Sequence, residues 1–189
     1  MALAQSDPIL IPRISKNLKN FEFLIGEIPS IKIPFIAQRA ENWCWAACAQ
    51  MLQEGLHKPV LQQCEMARIR AAAENPGMHV RCCEKPISSE CDKGCFPEAI
   101  YSRLGIQVTR QESSLSAEAL DAELRAGRPV QIYQLLGGIT GHVVLVIGRT
   151  AAGYYHVLDP REGTLMRQYS ELLAPSGDGQ WRLSYTGIH

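Results

Sequence analysis

Residues 38–48 read QRAENWCWAAC, with Trp43 and Trp45 on either side of Cys44 and small residues directly after it. An amphipathic core helix would spread its aromatic residues along one face, whereas this stretch gathers them around one thiol. From Cys44 the run CWAACAQMLQEGL carries helix formers and no breaker before Gly55, which predicts a buried helix that starts at or near Cys44. A cysteine at a helix N-terminus meets unpaired backbone N–H groups and the positive end of the helix dipole, and both favour a thiolate. Cys44 is therefore the candidate nucleophile.

Outward from this stretch the chain divides in two. Before it, residues 1–37 hold Pro8, Pro12, Pro29 and Pro34, too many for a long helix. They predict an extended N-terminal arm over 1–32, leading into one domain over 33–189, with a short strand at SIKIPFI, residues 30–36. After it, PVLQQCEMARIRAAA predicts a second helix with Pro59 in its first turn. Residues 64–95 form a cysteine-rich insert whose second half, ENPGMHVRCCEKPISSECDKGC, is too polar and turn-rich to hold itself together without bridges. FPEAIYSRLG and SAEALDAELRAG predict two further helices, closed by Gly105 and Gly127, the second capped by Ser116. Beyond Gly127 the texture changes to RPVQIYQLL, GHVVLVIGR, YYHVLDP, TLMRQYS and QWRLSYTGI. These short β-branched and aromatic runs between Gly and Pro predict strands. Helices first and strands second give an α+β protein with a mainly antiparallel sheet.

The bulk numbers narrow the class. The chain has 189 residues, 19 basic and 19 acidic side chains and a formal net charge of zero, which favours neither nucleic acid nor an anionic membrane as partner. No apolar run approaches the ~18 residues that a spanning helix needs. The start, MALAQSDP, lacks the basic and apolar regions of a signal peptide, although Ala2-Leu3-Ala4 would pass as the end of a cleavage site. The seven cysteines are Cys44, Cys48, Cys64, Cys82, Cys83, Cys91 and Cys95. With Cys44 kept free for chemistry, the remaining six allow three bridges, and such a count points to an exported protein. No C-x-x-C occurs, which argues against zinc-ribbon and thioredoxin readings.

A base for the thiol is His142, which follows the glycine-rich loop GGITG and opens a strand. The runs HVVLVIGR and YYHVLDP flank the turn TAAG and predict a hairpin that brings His142 and Asp159 to one open end. Asp159 would accept the Nδ1–H of His142, fix its tautomer and steady an imidazolium. His156 falls nearer mid-hairpin on the opposite face. Gln38, six positions before Cys44, would aim a side-chain amide at a developing oxyanion beside the backbone N–H of Cys44.

Gln38, then Cys44-Trp45-Ala46, then Gly141-His142-Val143-Val144-Leu145, then Leu158-Asp159-Pro160 resemble the papain-like cysteine peptidase superfamily. ENWCWAAC with the later cysteines is similar to a bacterial branch that includes avirulence effector proteases of plant pathogens. The HVVLVIG and VLDP half is also similar to bacteriocin-processing peptidase domains of exporters. The resemblance covers roughly residues 33–185. It implies a helical lobe packed on a C-terminal antiparallel sheet, a catalytic cleft between them and no cofactor. It implies Cys44 as nucleophile, His142 as base, Asp159 as orienting residue and Gln38 as oxyanion-hole residue. Plant-type members carry Asn followed by Ser-Trp where this chain has Asp159 and Pro160, and residues 1–37 are too short to resemble their long pro-segments.

The reading is thus a cysteine protease that hydrolyses peptide bonds, secreted or exported from a bacterium, with a cytoplasmic location as the alternative. Its partners would be a protein or peptide substrate and, as a second type, an inhibitor or immunity protein. An effector or toxin of the same fold acting as glutamine deamidase or transglutaminase uses the same acyl-thioester chemistry. A catalytically silent binding module of that fold is a further alternative, and a cysteine-rich metal or redox protein another. Trp43 and Trp45 read as walls of the cleft. Cys48, one helical turn after Cys44, is expected to pair with the insert, with core packing and a regulatory thiol left open. His57, Cys64, His79, Cys82, Cys83, Cys91 and Cys95 match no common zinc spacing.

Overall fold

A computed structural model describes residues 26–77, 79–175 and 178–189, so most of the expected arm lies outside the described residues. Helix α1, Cys44–Gly55, starts where the sequence places it, and every residue from Cys44 to Gln53 is buried. Its Ala46, Ala47 and Ala49 let neighbours approach closely on all sides, so it is the central helix of a lobe. Helix α2, Gln63–Glu74, begins later than Pro59 predicts, because the Gln62 and Glu65 side chains form a reciprocal cap. Pro59 instead offers its carbonyl to the Gln53 side chain in the connecting loop. Helix α3, Glu98–Tyr101, continues as a tight turn over Ser102–Leu104 and stops at Gly105, whose φ is 66°. Helix α4, Ala117–Arg125, is capped by Ser116 Oγ, which accepts from the Ala119 N–H.

The strands are β1 (Thr109–Gln111), β2 (Val130–Leu136), β3 (Thr140–Arg149), β4 (Tyr155–Asp159), β5 (Gly163–Arg167) and β6 (Gln180–Thr186). They form one antiparallel sheet in the order β1-β6-β2-β3-β4-β5. The predicted strand TLMRQYS ends at Arg167. Its last residues turn into α5, Tyr169–Leu173, because Gln168 and Glu171 cap a helix there. The predicted strand at residues 30–36 is not formed: Ile31 donates its N–H to the Ile147 carbonyl of β3, and Ile28, just before the segment, makes an isolated bridge with Arg149.

Strand β3 sits near the middle of the sheet, and its apolar run has a simple cause. Val143, Leu145 and Ile147 pack with α1, whereas Val144 and Val146 pack on the other face with Leu120 and Leu124 of α4 and Leu172 of α5. A strand buried on both faces cannot alternate apolar with polar residues. The described residues therefore form two cores, one on each face of the sheet, and β3 belongs to both.

Candidate active site

Cys44 is the first residue of α1, so its backbone N–H has no intrahelical acceptor. The start of the helix is braced by the insert. Trp43 Nε1 donates to the Cys91 carbonyl (2.8 Å) and Trp45 Nε1 to the Lys93 carbonyl (3.1 Å). The Asn42 N–H donates to Asp92 Oδ1 at 2.8 Å. Both indoles are fully buried. The insert is pinned in turn by the bridges Cys64–Cys83, which ties it to α2, and Cys82–Cys91. Buried Gln63 holds the segment before the helix, accepting from the Arg39 N–H and donating to the Ala37 carbonyl, each at 2.9 Å. Neither Gln63 nor the 91–93 brace was picked out by sequence reasoning. Their signal is only the cysteine density of the insert.

His142 and Asp159 meet because of a bulge. Near the turn, Arg149 pairs with Tyr155 and Gly148 with His156, but beyond Ile147 the register shifts, so that Val146 pairs with Val157 and Leu145 with Leu158. Unshifted pairing would put Asp159 on the Leu145 face, towards α1. The extra residue turns it onto the face of Val144 and His142. His142 Nε2 then lies 2.9 Å from Asp159 Oδ1, an oxygen that also accepts from the N–H groups of Arg161 (2.8 Å) and Glu162 (3.2 Å). The nitrogen differs from the expected one: Asp159 holds Nε2, and Nδ1 is left for the thiol. Nδ1 is buried and has no hydrogen-bond partner among the described residues, while Cys44 lines the same cleft.

Burial of His142 would lower its pKa, but its hydrogen bond to Asp159, the hydrogen bond and charge of Cys44, and the charge of Asp159 outweigh it and hold the pKa up at about 9. Burial works against the Asp159 carboxylate too, yet His142 and the two backbone N–H groups keep its pKa below the ordinary 3.8. His156 stands apart, its Nδ1 against Ser30 Oγ.

Gln38 is placed differently from its expected role. Its backbone N–H donates to the Pro160 carbonyl at 3.0 Å, which ties it to the Asp159 loop. Its Nε2 donates to the carbonyls of Ala40 (2.9 Å) and Glu41 (2.6 Å), and its Oε1 is buried without a partner among the described residues. The cleft holding Cys44 and His142 has a volume of about 350 Å3, and Asn42, Trp45, Phe96, Tyr133 and Ile139 also line it. A second cavity of about 390 Å3 lies along the other side of His142 and Asp159, between Gln134 and Arg167.

The three-bridge expectation is corrected to two. Cys44, Cys48 and Cys95 are thiols. Cys48 is fully buried and points its Sγ at the Val143 carbonyl, 3.6 Å away, so it packs in the core between α1 and β3 instead of bridging to the insert. Burial, then the charges of Cys44 and Asp159, push its thiol pKa well up. Cys95 lines the cleft, and burial lifts it to about 11. Four of the seven residues weighed for zinc are in the two bridges. Among the described residues no group of three or more His, Cys, Asp or Glu is placed to hold a metal ion, and no helix is long and apolar enough to cross a membrane.

A thiol at a helix N-terminus, beside an imidazole whose far nitrogen is held by a carboxylate, can carry out acyl transfer. Comparison with known proteins points the same way. The family model described as papain-like cysteine protease AvrRpt2 matches residues 28–173. Among solved structures, a double glycine motif protease from an AMS/PCAT transporter, crystallised in complex with the leader peptide, is similar with a TM-score of 0.54 and 16% identity. That similarity covers 83% of this chain and 91% of the other, and at such identity it shows the fold. No curated protein sequence matches the chain.

Proposed function

Because the chain belongs to the AvrRpt2 family of papain-like cysteine proteases, we propose that it hydrolyses peptide bonds with Cys44 as nucleophile, His142 as acid and base, and Asp159 as orienting residue. The observation that carries this reading is the His142–Asp159 pair beside a thiol at the start of α1. The Cys44 thiolate attacks the peptide carbonyl carbon, and the C=O π electrons move to oxygen. When the tetrahedral adduct collapses, the C–N bond breaks and the leaving amine takes the proton from His142 Nδ1. The neutral imidazole then removes a proton from water, hydroxide attacks the thioester, and the acid departs as Cys44 and protonated His142 are restored. Asp159 keeps the ring oriented and stabilises its charged form.

The oxyanion would meet the backbone N–H of Cys44 and the amide of Gln38. The second donor requires the Gln38 amide to turn away from the Ala40 and Glu41 carbonyls when substrate enters. The two bridges fit a protein that works outside a reducing cytosol, and we take it as exported from a bacterium. The test is mass spectrometry of a peptide library incubated with the wild-type protein and with Cys44→Ala. New chain ends that need Cys44 support peptide hydrolysis. Conversion of glutamine amides to acids, or glutamine cross-links, without new chain ends would assign the same chemistry to a deamidase or transglutaminase. No Cys44-dependent change would leave a binding module of this fold.

A further inference from the structure

The aromatic wall of the cleft is held from outside the cleft. Phe96 follows the insert and is 47% exposed as a residue, a degree of freedom that would ordinarily let its ring swing. Its centroid lies 5.5 Å from that of Tyr133 in a tilted pair. The Arg110 guanidinium carbon lies 5.0 Å from the Phe96 centroid, within the range of a cation–π contact. Arg110 belongs to the short edge strand β1, where it pairs with Tyr185 of β6. Two carboxylates fix its fork: Nε is 2.8 Å from Glu112 Oε1, and Nη1 bonds Glu98 Oε1. Glu98 is anchored by its other oxygen, which accepts from the Tyr185 hydroxyl at 2.7 Å. Tyr133, on the inner side of the wall, crosses directly over Gly141, where an added Cβ would stand 2.5 Å from its hydroxyl. A line of contacts thus runs from Glu112 through Arg110, Phe96 and Tyr133 to the residue before His142.

We propose that Arg110 is a positioning residue for substrate selection: by stacking on Phe96 it holds the Phe96–Tyr133 wall against which an apolar side chain of the peptide docks. The proposal rests on the peptidase reading only in taking the cleft as the place that receives a peptide. Arg110 touches neither substrate nor the reacting atoms, so it acts on binding and not on bond breaking.

The test uses two reagents that alkylate the active thiol with loss of chloride, acetyl-Leu-Ala chloromethyl ketone and acetyl-Gly-Ala chloromethyl ketone. For each, KI and kinact are measured on wild type, R110A, R110K, E112Q, F96A and the R110A/F96A double variant, with circular dichroism on every protein. R110A should raise KI for the leucine reagent about two- to fivefold, the factor of one cation–π contact at a partly exposed site. It should leave kinact and the glycine reagent unchanged. R110K should retain most of the wild-type KI, and E112Q should shift it a little in the same direction as R110A. R110A should add nothing to F96A, since the effect passes through that ring. Equal loss for both reagents, a fall in kinact, no rescue by R110K, or additivity with F96A overturns the proposal. Failure of the peptidase reading looks different: the reagents would still label Cys44 while no peptide chain is cut.

Discussion

At the scale of single residues, the site is a set of charges that hold one another. The His142 pKa of about 9 depends in part on Cys44. Cys44→Ala removes a contribution that helps hold the ring's pKa up, so the His142 value, followed by NMR of the imidazole carbons, should fall; an unchanged value would separate the ring from the thiol. Limiting iodoacetamide at mildly acidic pH should label Cys44 ahead of Cys95 and Cys48, whose thiols burial has pushed up. Preferential label on either of those two would remove Cys44 as nucleophile. The pair also leaves a signature in stability. His142 lies above its ordinary 6.5, so its contribution is full below that pH and disappears as pH rises through about 9. Asp159 lies below 3.8, so its contribution is full above that pH and disappears as pH falls through its depressed value. Both describe one interaction, at its strongest between about pH 4 and 6.5. The difference in unfolding free energy between wild type and His142→Gln should peak in that window and shrink by on the order of 3 kcal/mol by pH ~10. A pH-independent difference in urea melts would contradict it. For activity, His142→Ala should cost at least ~10³-fold, Asp159→Ala less, and His156→Ala little. Gln38→Ala should cost about 10²–10³-fold if its amide turns to the oxyanion. A folded His142→Ala at near-normal rate beside an inactive His156→Ala would reverse the assignment.

At the scale of elements, the sequence carries those features that local chemistry decides. The helix start at Cys44, the Ser116 cap, the Gly105 and Gly127 stops and five of the six strands are legible because each depends on neighbouring residues. Strand β1 escapes, since Thr109–Gln111 is three residues long and mostly exposed. The bulge at Ile147 escapes as well. Nothing in VVLVIG marks the extra residue, although it decides which face Asp159 occupies. The nitrogen that Asp159 takes was illegible for a related reason, because it follows from where α1 stands relative to β3. The insert shows the limit most clearly. Parity allows three bridges, but Cys48 and Cys95 remain thiols, Cys48 buried with its Sγ on the Val143 carbonyl. Denatured, non-reduced protein should therefore show three free thiols. Seven would exclude the bridges, and one would restore the three-bridge arrangement. Because Cys91 carries both a bridge and the acceptor of Trp43, reduction should do two things together. It should lower stability by about 2–5 kcal/mol and slow alkylation of Cys44. A reduced protein that melts earlier but alkylates at the same rate would show that the insert does not brace the helix start.

At the scale of the whole molecule, the two cores are stitched together by the chain that precedes the site. Ile28 lies in the core between the sheet and α4, Ile33 in the core around α1, and Ile31 packs against both. The strap is fixed to β3 by the bonds of Ile28 and Ile31, and Arg149 links it to α4 by donating to the Gly26 carbonyl and pairing with Asp121 at 2.8 Å. Gly148 is the point where strap and strand come closest. A Cβ there would stand 2.8 Å from Ser30 Cα and 2.9 Å from the Ile28 carbonyl oxygen. Both are backbone atoms, so the strap itself has to move. Gly148→Ala should lower stability by about 1–3 kcal/mol, the usual range for overpacking, and speed proteolytic cleavage between residues 26 and 36. It should leave the rate of Cys44 alkylation near normal, because Gly148 lies at the end of β3 away from His142. If alkylation falls in proportion to stability, strap and site form one cooperative unit; if proteolysis of the strap does not change, the close approach at Gly148 is not what holds it.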